Sequence, residues 1–75
     1  MKKIIEVFKS LSEENRLRIF NLILLCNQEI FANEISNALL KPQYTISRHI
    51  GMLIRSGLIK QRREGARIYY SLSEN

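Results

Sequence analysis

Residues 45–72 read TISRHIGMLIRSGLIKQRREGARIYYSL, and the spacing of their apolar residues changes at Gly57. Before Gly57 the apolar residues recur at helical intervals, and glycine is a favoured left-handed end for a helix. Residues 67–72 instead alternate between polar and apolar, as in a strand that is buried on one face. Glu64-Gly65 supplies the turn signal between two strands. This stretch therefore predicts a helix that is followed by a β-hairpin.

Upstream of this stretch the same patterns predict further helices. The first has an apolar stripe that would attach it to its own domain, formed by Ile4, Phe8 and Leu11. The second, over residues 13–25, can be capped by Ser10 or Ser12. We expect it to turn four apolar side chains inward: Leu17, Phe20, Ile23 and Leu24.

The middle of the chain predicts a short extended segment and two helices. The segment is EIF at residues 29–31, and a third helix begins near Asn33. The inner face of that helix is expected to carry Ile35, Ala38 and Leu39. Pro42 suits the first position of a fourth helix, which ends near Ser56.

The predicted fold class is mainly α with a small β-hairpin (α+β), in the order α-α-(short β)-α-α-β-β. We interpret this order as a winged helix-turn-helix that forms a single domain over residues 1–75. The domain has three predicted parts: an N-terminal dimerisation helix (1–11), the helix-turn-helix (33–56) and the wing (58–72).

Composition limits the function classes. The 45% apolar content is too high for a disordered chain, and 75 residues suffice for one small domain. The longest apolar run, residues 22–26, is far shorter than the roughly 20 residues that span a bilayer, and no secretory signal is visible. The single cysteine, Cys26, cannot form an internal disulfide, so we expect a cytoplasmic protein with no membrane partner. Cys26 is either a small apolar residue at a helix end or a redox-sensing thiol.

The inventory of reactive side chains predicts that the protein is not an enzyme. The sequence has no Asp, no Cys-His pair and no glycine-rich phosphate loop. Its only histidine, His49, falls on the inner side of the fourth helix, so we expect it to be partly buried and hydrogen-bonded. No catalytic residue and no cofactor are predicted.

Charge is divided unevenly along the chain. Residues 1–40 carry five Lys or Arg against five Glu, whereas residues 41–75 carry seven against two. The whole net charge of +5 therefore lies in the second part. A neutral support joined to a basic half indicates a surface that faces a polyanion.

The fourth helix presents part of this charge on one side. Projected at 100° per residue, its inner side carries Ile46, His49, Ile50 and Leu53. Its opposite side carries Tyr44, Ser47, Arg48, Gly51 and Arg55. Such a strip suits a helix that enters the DNA major groove. The wing would contact the DNA backbone or minor groove through Arg62, Arg63 and Arg67. The alternatives are a solvated helix face and a charged strand edge that blocks aggregation.

Three ordered motifs carry a resemblance to a known family. They are NRLRI at residues 15–19, TISRH at residues 45–49, and RREGxxxYY at residues 62–70. Over roughly residues 8–72 the chain resembles the arsenic-repressor-type (ArsR/SmtB) winged-helix transcriptional regulators. The resemblance implies a homodimer that binds an inverted-repeat operator in double-stranded DNA, usually as a repressor. It also implies groove-reading positions at Gln43, Tyr44, Thr45, Ser47 and Arg48, and wing positions at Arg63, Gly65 and Arg67.

The sequence departs from this family where metals bind. Metal-sensing members carry a C-x-C pair at the start of the third helix, where this chain has Phe31 and Asn33. Neither side chain is a good ligand for a thiophilic metal. The family's other site uses Asp and His on a C-terminal helix, whereas this sequence contains no Asp and ends at Asn75. The resemblance therefore implies a regulator without the usual metal sites, and a dimer interface that is smaller than in its relatives.

The first helix predicts where two copies would meet. Ile5 and Val7 lie off its core-facing stripe and would face water in a monomer. The predicted dimer interface comprises Ile4, Ile5, Val7, Phe8, Leu22 and Leu25. The alternative function is a winged-helix module for protein–protein contact, or for architectural binding of nucleic acid without sequence preference.

Overall fold

The computed structural model describes residues 2–73. Residues 1, 74 and 75, which the predicted domain includes, lie outside this range. The helices are α1 (Lys2–Leu11), α2 (Glu14–Cys26), α3 (Ala32–Leu39) and α4 (Gln43–Arg55). The strands are β1 (Ile30–Phe31), β2 (Ile59–Glu64) and β3 (Arg67–Leu72). The element order is the predicted one, and the predicted winged helix-turn-helix is confirmed.

The three strands form one antiparallel sheet in the order β1-β3-β2. β1 pairs with β3 through Ile30 opposite Tyr70 and Phe31 opposite Tyr69. The short extended segment is therefore an edge strand that connects the base of the wing to the start of α3. The hairpin turn is Gly65-Ala66 and not the predicted Glu64-Gly65, because Glu64 still pairs with Arg67. Gly65 has a φ of 62°, and glycine at the first of two turn positions suits a type II′ turn.

The core lies between the helices and the inner face of the sheet. Its buried apolar residues are Ile19, Ile23, Ile30, Ile35, Ile46, Ile50, Leu53, Ile59 and Tyr70. Full burial of an isoleucine side chain contributes on the order of 1.5–3 kcal/mol to the free energy of unfolding. The predicted inner face of α4 is confirmed, because Ile46, His49, Ile50 and Leu53 are all buried.

The predicted inner faces of α2 and α3 were partly wrong. Leu17 and Leu24 are about half exposed, whereas Ile19 and Ile23 are buried at the centre of the core. On α3, Ile35 is buried but Ala38 is exposed. An apolar residue on a small helix can face water without breaking the fold, so apolar spacing alone did not fix the rotation of α2.

Helix α1 is also rotated relative to the prediction. Ile4 and Phe8 are exposed, while Val7, Leu11 and Ser10 lie on the side that packs on the domain. The Lys3 side chain reaches the C-terminal end of α4, where it approaches Gly57. The most apolar stripe of α1 is therefore left on the surface.

The helix ends explain the chain path between elements. Neither predicted serine caps α2: Glu13 is its N-cap, and the Glu13 carboxylate accepts from the Arg16 backbone N–H at 3.1 Å. Asn27 ends α2 in the left-handed conformation, with a φ of 54°. Leu40 ends α3 in the same way, with a φ of 57°. Left-handed backbone is unfavourable for a leucine, so the turn between α3 and α4 is strained.

Candidate nucleic-acid interface

The outer side of α4 is an exposed polar strip. Tyr44 is 79% exposed, and Ser47 and Arg48 also face solvent. The Arg48 guanidinium forms no ion pair or hydrogen bond with any other residue between 2 and 73. An unpaired arginine beside a hydroxyl and a phenol offers donors that a guanine edge or a phosphate can accept. The structure therefore leaves this side of α4 free to contact a ligand.

Two predicted groove-reading residues are less accessible than the strip. Gln43, at the start of α4, is exposed but donates its side-chain N–H to Asn33 Oδ1 at 2.9 Å. Thr45 is half-buried, and its backbone N–H caps the turn by donating to the Pro42 carbonyl at 3.1 Å. Gln43 must exchange its bond to α3 before it can read a base, and only part of Thr45 faces outward.

Arg55 lies at the other end of the same strip. It lies eleven positions after Tyr44, which corresponds to about 16 Å along the helix axis. Its guanidinium lies 3.1 Å from the Met52 sulfur and borders a cavity of about 450 Å³ between α1 and the end of α4. A thioether is a weak acceptor, so Arg55 retains donors for a phosphate at the edge of the surface.

A groove separates α4 from the wing. Its volume is about 270 Å³, and it is lined from the α4 side by Gln43 and Ser47. The wing side is formed by Ala66, Arg67 and Ile68. The predicted DNA-reading helix and the tip of the predicted wing therefore border one continuous depression.

The wing arginines occupy different faces of the hairpin. Arg63 lies opposite Ile68, on the face of the hairpin that packs on the core nearer its base. Its guanidinium is exposed and has no ion pair within the described residues. Arg67 lies on the outer face, with its guanidinium carbon 5.1 Å from the centre of the Phe31 ring. A hydrogen bond with the Tyr69 hydroxyl raises the pKa of Arg67. Both arginines carry charge near the tip of the wing.

Arg62 is engaged differently. Its Nε and Nη2 atoms donate to the two carboxylate oxygens of Glu29 at 2.7 and 2.8 Å, and its Nη1 donates to Glu64 at 3.1 Å. Its guanidinium carbon lies 4.8 Å from the centre of the Tyr69 ring. The hydrogen bond with Glu29 is the main cause that raises the pKa of Arg62, and the same bond lowers the pKa of Glu29. This pair could not be predicted from local sequence patterns, because its members lie 33 positions apart.

His49 links α4 to the start of α2. It is 6% exposed, and its Nδ1 lies 3.4 Å from Arg16 Nη1 and 3.4 Å from a Glu13 carboxylate oxygen. Burial lowers the pKa of His49, the Glu13 carboxylate opposes this shift, and the Arg16 and Arg48 cations add to it. The predicted buried, hydrogen-bonded histidine is confirmed. Its partners, Glu13 and Arg16, were not predicted from the sequence. Both lie at the start of α2, where a capping residue is expected, and this was the available signal.

The position of the family's metal site holds an aromatic contact. Phe31 packs edge-on against Tyr69, with ring centres 6.0 Å apart, and its backbone N–H donates to Glu34 at 3.0 Å. Asn33 is bonded to Gln43. Within residues 2–73, no three His, Cys, Asp or Glu side chains gather closely enough to hold a metal ion. Cys26 is partly buried against the core at the end of α2.

Large apolar side chains are exposed on α1 and, separately, at the end of α2. Phe8 is 70% exposed and Leu25 is 73% exposed, and Ile4 and Ile5 are more than half exposed. Val7 and Leu22, also predicted at a dimer interface, are half-buried, and Leu22 packs against the core. No helix among the described residues is long and apolar enough to cross a membrane.

Residues 13–61, from the N-cap of α2 to the middle of β2, match the family described as "Bacterial regulatory protein, arsR family". The chain belongs to the arsR family. It is a winged helix-turn-helix transcription regulator, as its motifs predicted.

Similar proteins cover nearly the whole chain. An uncharacterized HTH-type transcriptional regulator of Methanocaldococcus jannaschii, MJ1325, is 35% identical over 99% of this chain and 82% of its own length. The structure of HlyU from Vibrio cholerae has a TM-score of 0.89 at 31% identity, over 99% of this chain and 78% of that one. The solution structure of Mb0332 from Mycobacterium bovis, a homodimeric winged helix-turn-helix DNA-binding domain, has a TM-score of 0.86 at 30% identity, over 96% of this chain and 65% of that one. The curated sequence of HlyU, a transcriptional activator, is longer, and this chain spans 64% of it.

Proposed function

We propose that this arsR-family regulator binds an inverted repeat in double-stranded DNA as a homodimer, with one α4 helix in the major groove of each half-site. The observation that carries this proposal is Arg48, which has no ion pair or hydrogen bond within residues 2–73 and lies beside Ser47 and Tyr44 on the exposed side of α4. The groove beside this strip and the charged wing extend the surface. The net charge of +5 confined to residues 41–75 supports a polyanionic partner on this side of the domain.

The proposed division of labour follows from the positions of the side chains. Arg48, Ser47 and Tyr44 read base edges, because they lie on the most exposed side of a helix that fits the major groove. Arg63 and Arg67 contact phosphates from the wing. Phosphate contacts fix the register of the protein on the duplex, and base contacts provide sequence preference.

The proposed dimer forms through the apolar surface on α1. Ile4, Ile5 and Phe8 share one exposed side of that helix, and Leu25 exposes a further large side chain at the end of α2. A small domain gains stability when such a surface is covered. The homodimeric state of Mb0332 supports the same assembly for this chain. Two-fold pairing would present two α4 helices to successive major grooves, as an inverted repeat requires.

We further propose that DNA occupancy represses transcription, because a bound dimer excludes other proteins from the site. HlyU from Vibrio cholerae, a transcriptional activator, is a relative with the opposite effect on transcription. We propose no metal response at the start of α3, because Phe31 contributes a ring to the Tyr69 contact there and offers no ligand atom.

The experiment that tests the function is a binding-site selection from random duplex DNA, followed by titration of the selected duplex across salt concentrations. With about four phosphates contacted per protomer, the slope of log affinity against log salt should be on the order of −7. We expect enrichment of a two-fold symmetric sequence. Enrichment of no sequence together with a steep slope would instead indicate architectural binding, and a flat slope would contradict DNA binding.

A further inference from the structure

The outer face of the sheet carries a contact that spans all three strands. Arg62 on β2 reaches across Tyr69 on β3 to Glu29, which immediately precedes β1. Both oxygens of the Glu29 carboxylate accept from Arg62, and two parallel bonds fix the relative orientation of the two groups. This contact connects the wing to the loop between α2 and β1. The backbone of β2 pairs only with β3, so the side chain of Arg62 provides a connection that the sheet hydrogen bonds do not.

The charge of Arg62 is already compensated within the protein. Each of its three side-chain nitrogens donates to a carboxylate, from Glu29 or Glu64, and the Tyr69 ring covers one face of the guanidinium. Its sequence neighbour Arg63 points to the opposite face of the hairpin and has no ion pair within residues 2–73. A DNA phosphate would have to compete with two carboxylates for Arg62, but with none for Arg63.

We propose that Arg62 is a positioning residue, whose bond to Glu29 holds the wing at the angle at which Arg63 and Arg67 meet the DNA backbone. This inference rests on the proposed function, since it concerns how the same interface is arranged. Arg62 acts through the orientation of the hairpin and does not contact phosphate.

The first test compares two substitutions that change the charge equally. Glu29→Gln and Glu64→Gln each remove one negative charge, which by electrostatics alone strengthens binding to DNA. Only Glu29→Gln also releases the wing from the loop before β1, because Glu64 lies on the same strand as Arg62. We expect Glu29→Gln to weaken binding to the selected duplex about two- to fivefold, and Glu64→Gln to strengthen it slightly. Equal strengthening by both variants would overturn the proposal.

The second test exchanges the two charges. Arg62→Glu alone places three carboxylates together and should weaken binding to the selected duplex strongly. The double variant Glu29→Arg with Arg62→Glu restores an ion pair across β3 with the net charge of the wild type. If Arg62 positions the wing, the double variant recovers most of the lost affinity. If Arg62 contacts a phosphate, the double variant recovers no more affinity than Glu64→Arg with Arg62→Glu, which restores the same net charge without a bond to the loop before β1, and the proposal is wrong.

A third measurement needs no DNA. The heteronuclear NOE of the Gly65 and Ala66 amides reports the order of the wing tip on the picosecond to nanosecond scale. We expect this NOE to fall in Glu29→Gln and to stay at the wild-type value in Glu64→Gln. An unchanged NOE in Glu29→Gln would overturn the positioning role even if the protein binds DNA. Failure of the wild type to bind any duplex would refute the proposed function, whereas the NOE comparison would still decide the role of Arg62.

Discussion

Arg16 Nη1 lies 3.4 Å from Nδ1 of His49, a distance at which the arginine can donate to that nitrogen only while the nitrogen carries no proton. The Glu13 carboxylate lies 3.4 Å from the same Nδ1, and it can accept from that atom only when the atom is protonated. One ring nitrogen of a residue in α4 thus has two alternative partners at the start of α2. Burial lowers the pKa of His49, which favours the neutral imidazole in the folded protein relative to the unfolded chain.

This arrangement makes the stability depend on pH. An unfolded histidine has a pKa of about 6.5, and the folded value is lower, so the unfolded chain binds the proton more readily. The stabilising contribution of neutral His49 to the free energy of unfolding is therefore fully present above about pH 6.5. It is lost as the pH falls from there towards the pKa of His49 in the folded protein. One proton gives a slope of at most about 1.4 kcal/mol per pH unit. Urea unfolding at several pH values between about 5 and 8 measures this pH dependence of the free energy of unfolding.

The control for the pH dependence is His49→Asn, which cannot titrate. Its free energy of unfolding should be lower than that of the wild type at neutral pH, and it should change less between pH 8 and 5. An equal pH dependence in both proteins would assign the effect to other groups.

Arg48→Ala tests the reading side of α4. We expect a loss of about 1–3 kcal/mol in binding to the selected site and a relaxed preference at one base pair in each half-site. Arg67→Ala should instead weaken binding to all sequences about equally, because it removes a phosphate contact. Fluorescence anisotropy with the selected duplex and its single-base variants separates these two patterns. Arg18→Ala, on exposed α2 surface, loses the same charge and serves as the control.

Ile5→Glu combined with Phe8→Glu tests the dimer surface. Both side chains are more than half exposed in the protomer, so the fold should persist while the homodimer dissociates. Sedimentation velocity should show a monomer, and affinity for the inverted repeat should fall more than affinity for a single half-site. Lys9→Glu, also exposed on α1, is a control that adds negative charge without removing an apolar contact. A double variant that still sediments as a dimer would place the partner surface elsewhere.

Leu40 offers a test of the strained turn between α3 and α4. Its side chain is 87% exposed and its φ is 57°, so the residue buries little apolar surface in an unfavourable conformation. Asparagine tolerates the left-handed region better, and Leu40→Asn should raise the free energy of unfolding by about 0.5–1 kcal/mol. Thermal unfolding is a sufficient measurement. Leu39→Asn is the matched control: that side chain packs against the core, so the same change should be destabilising.

Metal ions should not release the protein from its selected duplex. One equivalent of zinc, cadmium or arsenite should leave the affinity unchanged, because Phe31 and Asn33 stand where the family resemblance implies the C-x-C pair of metal-sensing members. Anisotropy titrations of the bound duplex measure release. Release that disappears in Cys26→Ser or His49→Asn would reveal a site that includes one of those residues.

The sequence predicted the inner side of α4 because only one side of that helix is apolar. Ile46, Ile50 and Leu53 share one side, and charged or hydroxyl groups cover the other. The rotation of α1 could not be predicted in the same way. Its stripe through Ile4 and Phe8 is more apolar than the side with Val7 and Ser10, which packs on the domain. An apolar stripe that stays exposed has the same residue types as one that packs on the core, so the spacing of apolar residues assigned the wrong side of α1 to the core.

Long-range pairs were beyond the reach of local patterns. The pattern of the hairpin predicts that Arg62 and Arg67 share the basic wing, but it contains no information about Glu29, which lies just before the strand at the opposite edge of the sheet. The prediction therefore treated the wing arginines as equivalent. The structure distinguishes them by their partners. Arg62 donates to two carboxylates, and Arg67 packs over an aromatic ring. Arg63 has no ion pair within the described residues.

The pairing of the two-residue strand β1 with β3 has a consequence for cooperativity. Ile30 and Tyr70 are partners although they lie forty positions apart, and both members of the helix-turn-helix lie in the chain between them. Closing so long a loop costs conformational entropy that local contacts do not recover until the sheet is formed. The helices and the hairpin are therefore expected to gain and lose order together. Slow hydrogen exchange at the β3 amide that bonds to β1 would mark the closure of this loop, and the exchange of α3 and α4 should follow it as one unit.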